Sequence, residues 1–293
     1  MRVVLDTKVI VAGMTCPAEP AGRIVASWRR GARQVSAPVA ELNARPTAFP
    51  RQDARALADD GGALHFCSTC AFSQACVSEG IDKAALLDLH VLVEHVGPIN
   101  AGEYIFREGD AFEALAAVRA GTVKTYVIDR DGREHVLGFH LPGEVIGLSA
   151  IDGETYPCNA VALDTVMLCR FSFPKIAVLA ARLPGLQKHL FRLMSRDIGR
   201  AALLAGDWSA DQRMAAFLVG LSQRLAARGF SPSRFQLTMA RTDIANHLRL
   251  APETVSRVLK RMQDDGVLAV DRREVELLRR ESLEDLAAPI LRL

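Results

Sequence analysis

Three cysteines lie close together in the chain, at Cys67, Cys70 and Cys76, and a fourth, Cys169, follows much further along. The C-x2-C-x5-C spacing lets a short loop turn three sulfurs toward one point. A fourth sulfur completes the coordination of an iron–sulfur cluster or of a structural zinc ion. The first chemistry that the sequence indicates is therefore metal binding by thiolates.

The cysteine spacing leaves alternatives open. It differs from the C-x2-C-x2-C run of ferredoxins and from the paired C-x2-C of zinc ribbons, and zinc remains a competing metal. A disulfide and buried apolar thiols are the other interpretations. The first residues carry an acid, Asp6, and no small-residue cleavage site, which is atypical of a signal peptide. Six cysteines without a secretion signal favour a reducing cytoplasm, where clustered thiols bind metals.

Length and charge suggest how the chain is divided. At 293 residues and 49% apolar composition, it suits two compact units plus an appendage. No run approaches the roughly 18 uncharged apolar residues that a membrane helix needs. Residues 213–280 contain 13 Lys+Arg and 7 Asp+Glu, whereas residues 61–212 contain 13 and 18. A basic C-terminal unit beside a mildly acidic one is typical of a chain in which one domain meets phosphates.

Residues 97–171 have the pattern of a small β-domain. Five glycines recur at steps of 7, 12, 11 and 11 residues and separate runs rich in β-branched and aromatic residues. The runs Thr122–Ile128 and Glu134–Phe139, joined by Asp131-Gly132, predict a hairpin. This regular spacing predicts a jelly roll or a small sandwich. Before it, apolar residues on one face predict a helix over Asp82–Glu94.

A long helix follows the strands. Its apolar stripe is Leu190, Met194, Ile198, Ala201 and Ala205, at steps of 4, 4, 3 and 4. The stripe could pack on the adjacent barrel or on a second copy of the helix. We predict a homodimer whose interface contains the first four of these residues.

The basic C-terminal unit contains a helix–turn–helix pattern between Thr238 and Val270, followed by a hairpin with a basic tip at Asp271-Arg272-Arg273. Pro252 suits the first position of the second helix, where its missing N–H costs nothing. Glu253, Ser256 and Arg257 fall on one exposed face of that helix.

These three side chains suit base edges in double-stranded DNA. An arginine can contact guanine O6 and N7, a glutamate can accept from cytosine N4, and a serine can contact a base or a phosphate. The plain alternative is a structural unit in which Glu253 and Arg257 form a surface ion pair. The basic surplus favours DNA binding.

The motifs together resemble the fumarate–nitrate reduction (FNR) branch of the CRP/FNR regulators, from about Leu64 to about Leu278. The features on which this resemblance rests are the cysteine spacing, the barrel, the run from Arg228 to Met239, and Glu253-x-x-Ser256-Arg257. The resemblance implies a homodimeric, oxygen-responsive transcription factor rather than an enzyme, with RNA polymerase as a partner.

The resemblance also implies specific site residues. It assigns a 4Fe–4S cluster to Cys67, Cys70, Cys76 and Cys169, the last on a barrel strand, and leaves Cys158 and Cys16 without a role. It implies that Glu253, Ser256 and Arg257 read a TTGAT-like half-site in an inverted repeat.

The chain departs from the family pattern at two places in the helix–turn–helix. Arg249 stands where a turn glycine is usual, and a left-handed backbone there would be strained. Ala251 replaces a threonine that would cap the second helix, a loss of ~1 kcal/mol.

A cyclic nucleotide is another effector that this fold could bind. Gly143-Glu144 resembles the ribose-binding part of a cyclic-nucleotide motif, but Asn159 stands in place of the phosphate-binding arginine, which disfavours a cyclic nucleotide. The alternative is a CRP-like regulator with a structural zinc ion or a small-molecule effector.

Residues 1–43 resemble the opening of a PIN-domain ribonuclease, with Asp6 and Glu41 at two of about four metal-binding acids. Lys8 replaces an asparagine and the later acids are missing, so nuclease activity is not expected. The predicted fold is α+β, with an N-terminal extension (1–60), a cysteine loop and a jelly-roll, cyclic-nucleotide-binding-like sensor domain (61–185), a dimerisation helix (186–206) and a winged helix-turn-helix (207–293).

Overall fold

The structure, a computed structural model, describes residues 92–203 and 206–291. Its first unit is an antiparallel β-barrel of two four-stranded sheets, ordered β1-β8-β3-β6 and β2-β7-β4-β5. The strands are β1 (Val93–Ile99), β2 (Tyr104–Phe106), β3 (Ala114–Ala120), β4 (Val123–Ile128), β5 (Glu134–His140), β6 (Val145–Ile146), β7 (Asn159–Ala162) and β8 (Val166–Ser172). This confirms the predicted jelly roll.

The predicted hairpin is β4–β5, and its turn residue Gly132 has a φ of 78°, which glycine adopts without a steric penalty. The helix predicted over Asp82–Glu94 is wrong at its end, because Val93 and Glu94 belong to β1. Both residues pair with β8, so the backbone hydrogen bonds of a sheet replace those of a helix there. The rest of that prediction lies outside the described residues.

The sheet containing β3 is covered on both faces. Ala114, Ala116 and Val118 face the barrel interior, whereas Leu115 and Ala117 face outward toward two helices, and all five are buried. A strand buried on both faces has a continuous apolar sequence instead of an alternating one. The two helices therefore pack on the outer face of this sheet.

Two helices follow β8, namely α1 (Phe173–Arg182) and α2 (Pro184–Leu203). Ile176 and Leu179 of α1 pack with Leu190 and Leu193 of α2 against the covered sheet. The long helix is confirmed, and one side of its first half is buried against its own barrel.

The C-terminal unit has a three-stranded sheet, ordered β10-β11-β9, packed with four helices. Its elements are α3 (Ala210–Ala226), β9 (Arg234–Gln236), α4 (Arg241–Leu248), α5 (Pro252–Asp264), β10 (Leu268–Asp271), β11 (Glu274–Leu277) and α6 (Arg280–Leu291). A capping box between Ser209 and Gln212 fixes the start of α3. The winged helix-turn-helix is confirmed, while α3, β9 and α6 were not predicted.

The two units share apolar contacts. Phe139 and Leu141, at the end of the β4–β5 hairpin region, belong to the same buried cluster as Leu218 of α3 and Ile244 of α4. None of the helices in the described part of the chain is long and apolar enough to span a bilayer.

Candidate DNA interface and cysteine site

Helices α4 and α5 form the predicted helix–turn–helix. Ile244, Ala245 and Leu248 of α4 are buried, as are Val255 and the two residues after Arg257 on the inner face of α5. The opposite face of α5 is exposed and carries Glu253, Ser256 and Arg257. The structure thus brings the three predicted base-reading residues together on one surface.

The local bonds of these side chains are few. Ser256 Oγ donates to the Pro252 carbonyl at 3.2 Å, and Arg257 Nη2 donates to Thr254 Oγ1 at 3.2 Å. Within the described residues, Glu253 and Arg257 do not form the surface ion pair that the structural alternative expected. Both charges are therefore available to a ligand on this face.

A groove of about 240 Å³ lies between α5 and the β10–β11 wing. Its lining residues are Arg241, Ser256, Leu259, Lys260, Gln263, Val270 and Arg272. Three of them are cationic, and Arg272 occupies the basic wing tip that the sequence predicted. A positively charged groove beside an exposed helix is suited to the phosphate backbone of a duplex.

Both departures from the family pattern have the expected local consequence. Arg249 ends α4 with φ 55° and ψ 45°, the left-handed conformation that favours glycine. Ala251 at the start of α5 accepts no side-chain capping bond, and Pro252 is at the first position of the helix. Neither departure prevents the motif from forming.

The β4–β5 hairpin holds α4 through a polar contact that the sequence did not reveal. Lys124, 8% exposed, lies between Asp243 at 3.0 Å and Glu134 at 3.1 Å. Asn246 Oδ1 accepts from the Val136 amide at 2.8 Å, and its Nδ2 donates to the Glu134 carbonyl at 2.6 Å. The first helix of the DNA-binding motif is therefore fixed to the barrel.

A second contact joins the barrel to α3. Glu144 is 8% exposed, and its carboxylate accepts from Arg224 Nε at 2.8 Å and pairs with Arg228 Nη2 at 3.2 Å. Glu144 also accepts from the Leu141 amide at 3.0 Å. Arg224 and Arg228 come from α3 and the turn after it, so this buried carboxylate links the two units.

The same contact bears on the cyclic-nucleotide alternative. Glu144 is the residue that resembles a ribose ligand, and its oxygens are already engaged by two arginines. The barrel interior is filled as well, because Phe106 stacks on Tyr156 with ring centroids 3.9 Å apart. Tyr156 also donates to the Ala114 carbonyl at 2.5 Å. The described barrel interior and the absence of the arginine at Asn159 both disfavour a nucleotide.

His247 sits between aromatic rings of the two units, with its centroid 5.3 Å from Phe139 and 6.2 Å from Phe217. Its Nδ1 contacts the Val136 carbonyl at 3.4 Å. Burial lowers the pKa of His247 below its usual value, with a smaller contribution from the charge of Arg224. The imidazole is therefore neutral in the folded protein at neutral pH.

The lowered pKa predicts an acid-sensitive interface. A histidine whose folded pKa is depressed contributes stability above its unfolded pKa of about 6.5 and loses it as the pH falls. We expect the urea midpoint of the wild-type chain to fall more between pH 7.5 and pH 5.5 than that of His247→Phe, which keeps an aromatic ring without a titrating group. Equal shifts in both proteins would show that His247 does not couple protonation to folding.

Helix α2 presents its predicted dimer residues unequally. Leu190 is 8% exposed and packs on its own barrel, so its assignment to a dimer interface is not supported by its position. Met194 is half-buried, and Ile198 is 68% exposed. Phe191, seven residues before Ile198, is 39% exposed. The side chain of Ala201 lies outside the described residues.

Cys169 and Cys158 lie on opposite sides of the barrel wall. Cys169 is in the middle of β8, flanked by β1 and β3, and packs with the outer-face cluster beside α1 and α2. Its Sγ lies 3.7 Å from His95 Nδ1. Cys158 lies in the interior cluster, and burial raises the pKa of its thiol to about 11. The family assignment of Cys169 to a barrel strand agrees with its position.

The other three predicted ligands, Cys67, Cys70 and Cys76, lie outside the described residues, as do Cys16 and the PIN-like segment with Asp6 and Glu41. Residues 92–203 and 206–291 contain no group of three or more His, Cys, Asp or Glu side chains that could hold a metal. Cys169 is half-buried on the outer face of the barrel, whereas Cys158 is enclosed in its interior.

Comparison with known proteins agrees with this architecture. Residues 98–182 match the model of the cyclic nucleotide-binding domain, and residues 212–286 match that of the Crp-like helix-turn-helix domain. The chain is 42% identical over 215 residues to the transcriptional activator protein anr of Pseudomonas aeruginosa, covering 72% of this chain and 88% of that protein. It belongs to the CRP/FNR family of transcriptional regulators.

One more relative and one solved structure are also similar to this CRP/FNR regulator. It is 39% identical over 236 residues to the fumarate and nitrate reduction regulatory protein of Escherichia coli K12, covering 80% of this chain and 94% of the relative. The structure of FixK2 from Bradyrhizobium japonicum superposes with a TM-score of 0.61 at 28% identity, over 66% of this chain and 96% of FixK2. The CRP/FNR regulator is therefore a DNA-binding transcription factor of the FNR/Anr type and not an enzyme.

Proposed function

We propose that this regulator senses oxygen through a 4Fe–4S cluster held by Cys67, Cys70, Cys76 and Cys169. The observation that carries the proposal is the position of Cys169, half-buried on the outer, helix-covered face of the barrel. Cys158 lies in the apolar interior of the barrel, away from the outer face that carries Cys169, and this position argues against the same role for its thiol. When bound, the cluster would supply the oxygen-sensitive chemistry that favours dimerisation and DNA binding.

The four proposed ligands come from two separate segments of the chain. The three N-terminal cysteines would supply thiolates from one short stretch of sequence, and Cys169 would supply the fourth from a strand fixed on both edges by β1 and β3. Since Cys169 packs beside α1 and α2, its position relates the ligand set directly to the helix proposed for dimerisation. FNR and Anr relatives support this arrangement by family membership.

We further propose a homodimer that pairs through the exposed end of α2. Leu190 and Leu193 anchor the helix to its own barrel, while Phe191 and Ile198 present apolar surface to solvent. A second copy would bury these side chains with Met194 and place Ala201 near the twofold axis. Two recognition helices would then enter successive major grooves of double-stranded DNA.

In this dimer, Glu253, Ser256 and Arg257 read a TTGAT-like half-site of an inverted repeat, and the basic groove beside the wing contacts the backbone. A regulator that binds promoter DNA acts where transcription takes place, so the proposed partner is RNA polymerase and the proposed location is the cytoplasm.

The deciding experiment is anaerobic purification of the full chain, followed by visible spectroscopy and measurement of iron, acid-labile sulfide and zinc. We expect a brown protein with about four iron and four sulfide per chain, bleached by air. A colourless protein with stoichiometric zinc would support the CRP-like zinc alternative instead.

Base reading by Arg257 gives a quantitative prediction. Arg257→Ala is expected to weaken binding to the specific duplex by ~1–3 kcal/mol and to relax preference at one guanine per half-site, because a bidentate contact to O6 and N7 is lost. Titration of fluorescent specific and scrambled duplexes measures both effects. An equal loss on the two duplexes would make Arg257 a phosphate contact.

A further inference from the structure

The non-glycine residues with positive φ in the described part of the chain are both arginines of the winged helix-turn-helix. Arg249, with φ 55°, occupies the turn between α4 and α5, and Arg272, with φ 54°, occupies the wing tip. Left-handed backbone is unfavourable for a residue with a Cβ, and glycine or asparagine adopts it more easily. The wing tip already has a function in the proposed DNA contact, whereas the turn arginine has none.

The backbone of the turn does not require an arginine. The Arg249 amide donates to the Asn246 carbonyl at 3.0 Å, and the Leu250 amide donates to the Ala245 carbonyl at 2.9 Å. Any residue except proline supplies these bonds, and glycine would do so without steric strain. What arginine adds at this position is its charged side chain.

The surrounding residues hold that side chain outside the protein. Leu248 on one side is 1% exposed, and Leu250 on the other packs against the same buried cluster. Arg213 Nη1 donates to the Leu248 carbonyl at 3.3 Å and supports the turn from within. Arg249 itself is exposed, and its guanidinium forms no ion pair with the described residues.

We propose that Arg249 donates to a phosphate of the DNA backbone beside the recognition helix, and that the turn keeps a strained residue for this charge. In helix–turn–helix complexes the first helix crosses the backbone and the start of the second enters the major groove. The turn between them therefore lies next to the phosphates. The backbone of Arg249 is anchored between Leu248, which is buried, and Leu250, which is partly buried, so the position that carries the charge is fixed before DNA arrives and the ordering cost of the contact is reduced.

This inference rests on the proposed insertion of α5 into the major groove, and it assigns a sequence-independent contact to a position outside the base-reading face. One more phosphate contact per protomer increases the salt dependence of binding and the affinity for every sequence alike. It leaves the ranking of specific over scrambled DNA unchanged.

The test uses the anaerobically purified full chain and compares Arg249→Gly with the wild type. Binding to a TTGAT-containing inverted repeat and to a scrambled duplex is titrated at salt concentrations from about 50 to about 300 mM, because counterion release makes the binding constant fall steeply with salt in this range. For Arg249→Gly we expect the slope of log K against log salt to shrink by about 0.9 per protomer on both duplexes. We also expect its thermal midpoint to be equal to or above that of the wild type, because the strain is removed.

Two further variants complete the experiment. Arg249→Lys keeps the charge and should retain most of the slope, and Arg182→Gln removes one charge from the exposed end of α1 and should leave the slope unchanged. An unchanged slope for Arg249→Gly overturns the proposal, whatever its thermal midpoint. If wild type binds both duplexes equally, the proposed base reading fails, while the slopes still decide whether Arg249 contacts phosphate.

Discussion

Replacement of Cys169 by serine is expected to leave the anaerobically purified regulator colourless, with iron and acid-labile sulfide at background. Iron–sulfur clusters are held by thiolates, and a serine hydroxyl is not equivalent to a thiolate ligand. Strand β8 is hydrogen-bonded along both edges, so the backbone cannot shift to bring another donor into the position of residue 169. Visible absorption, iron assay and sulfide assay on matched preparations measure the result.

Cys158→Ser is the matched control, because it makes the same replacement of sulfur by oxygen at a cysteine eleven residues earlier, on the other side of the barrel wall. Its thiol lies in the interior cluster of the barrel and not on the face that carries Cys169, so its loss should leave the chromophore intact. A cluster that survives Cys169→Ser but not Cys158→Ser would show that the ligand assignment is wrong. Far-UV circular dichroism of both variants establishes that the barrel has folded.

Glu144→Gln is expected to produce the largest loss of stability among substitutions that preserve side-chain shape. The carboxylate of Glu144 lies between Arg224 and Arg228, whose side chains are 21% and 6% exposed. Removing the charge of one partner in a buried ionic cluster costs about 3–5 kcal/mol, since the remaining charges lose their compensation away from water. Urea unfolding followed by circular dichroism measures the change in the free energy of unfolding.

The chain supplies a control of the same chemistry at the surface. Glu274 pairs with Arg234, and their side chains are 37% and 63% exposed. Glu274→Gln should leave the urea midpoint almost unchanged, because water and salt screen an exposed pair. If the two variants lose equal stability, the link between barrel and α3 does not depend on the charge of Glu144.

Local patterns in the sequence were sufficient to predict the main elements. Glycines at regular intervals and β-branched runs predicted the barrel, and the helix–turn–helix pattern between Thr238 and Val270 predicted α4 and α5 correctly. These signals depend on hydrophobic periodicity and on turn chemistry, which act over a few residues. The position of Cys169 on a barrel strand was implied by the family resemblance and is confirmed.

Contacts between distant parts of the chain could not be predicted in this way. Asn246 binds the backbone of β5 across 110 residues, and Lys124 reaches Asp243 across 119. Neither sequence neighbourhood contains a motif for such a contact. Similarly, the stripe on α2 indicated an apolar face but not which body would cover it, and Leu190 turned out to pack on its own barrel.

The contact between α4 and the hairpin has a consequence for aggregation. Strand β5 is the last strand of its sheet, and the edge of such a strand carries backbone groups that can pair with another chain. Asn246 and His247 occupy the Val136 amide, the Val136 carbonyl and the Glu134 carbonyl on that edge. Any movement that lifts α4 from the barrel therefore uncovers a strand edge, so the position of the DNA-binding motif also determines whether the barrel is protected against edge-to-edge association.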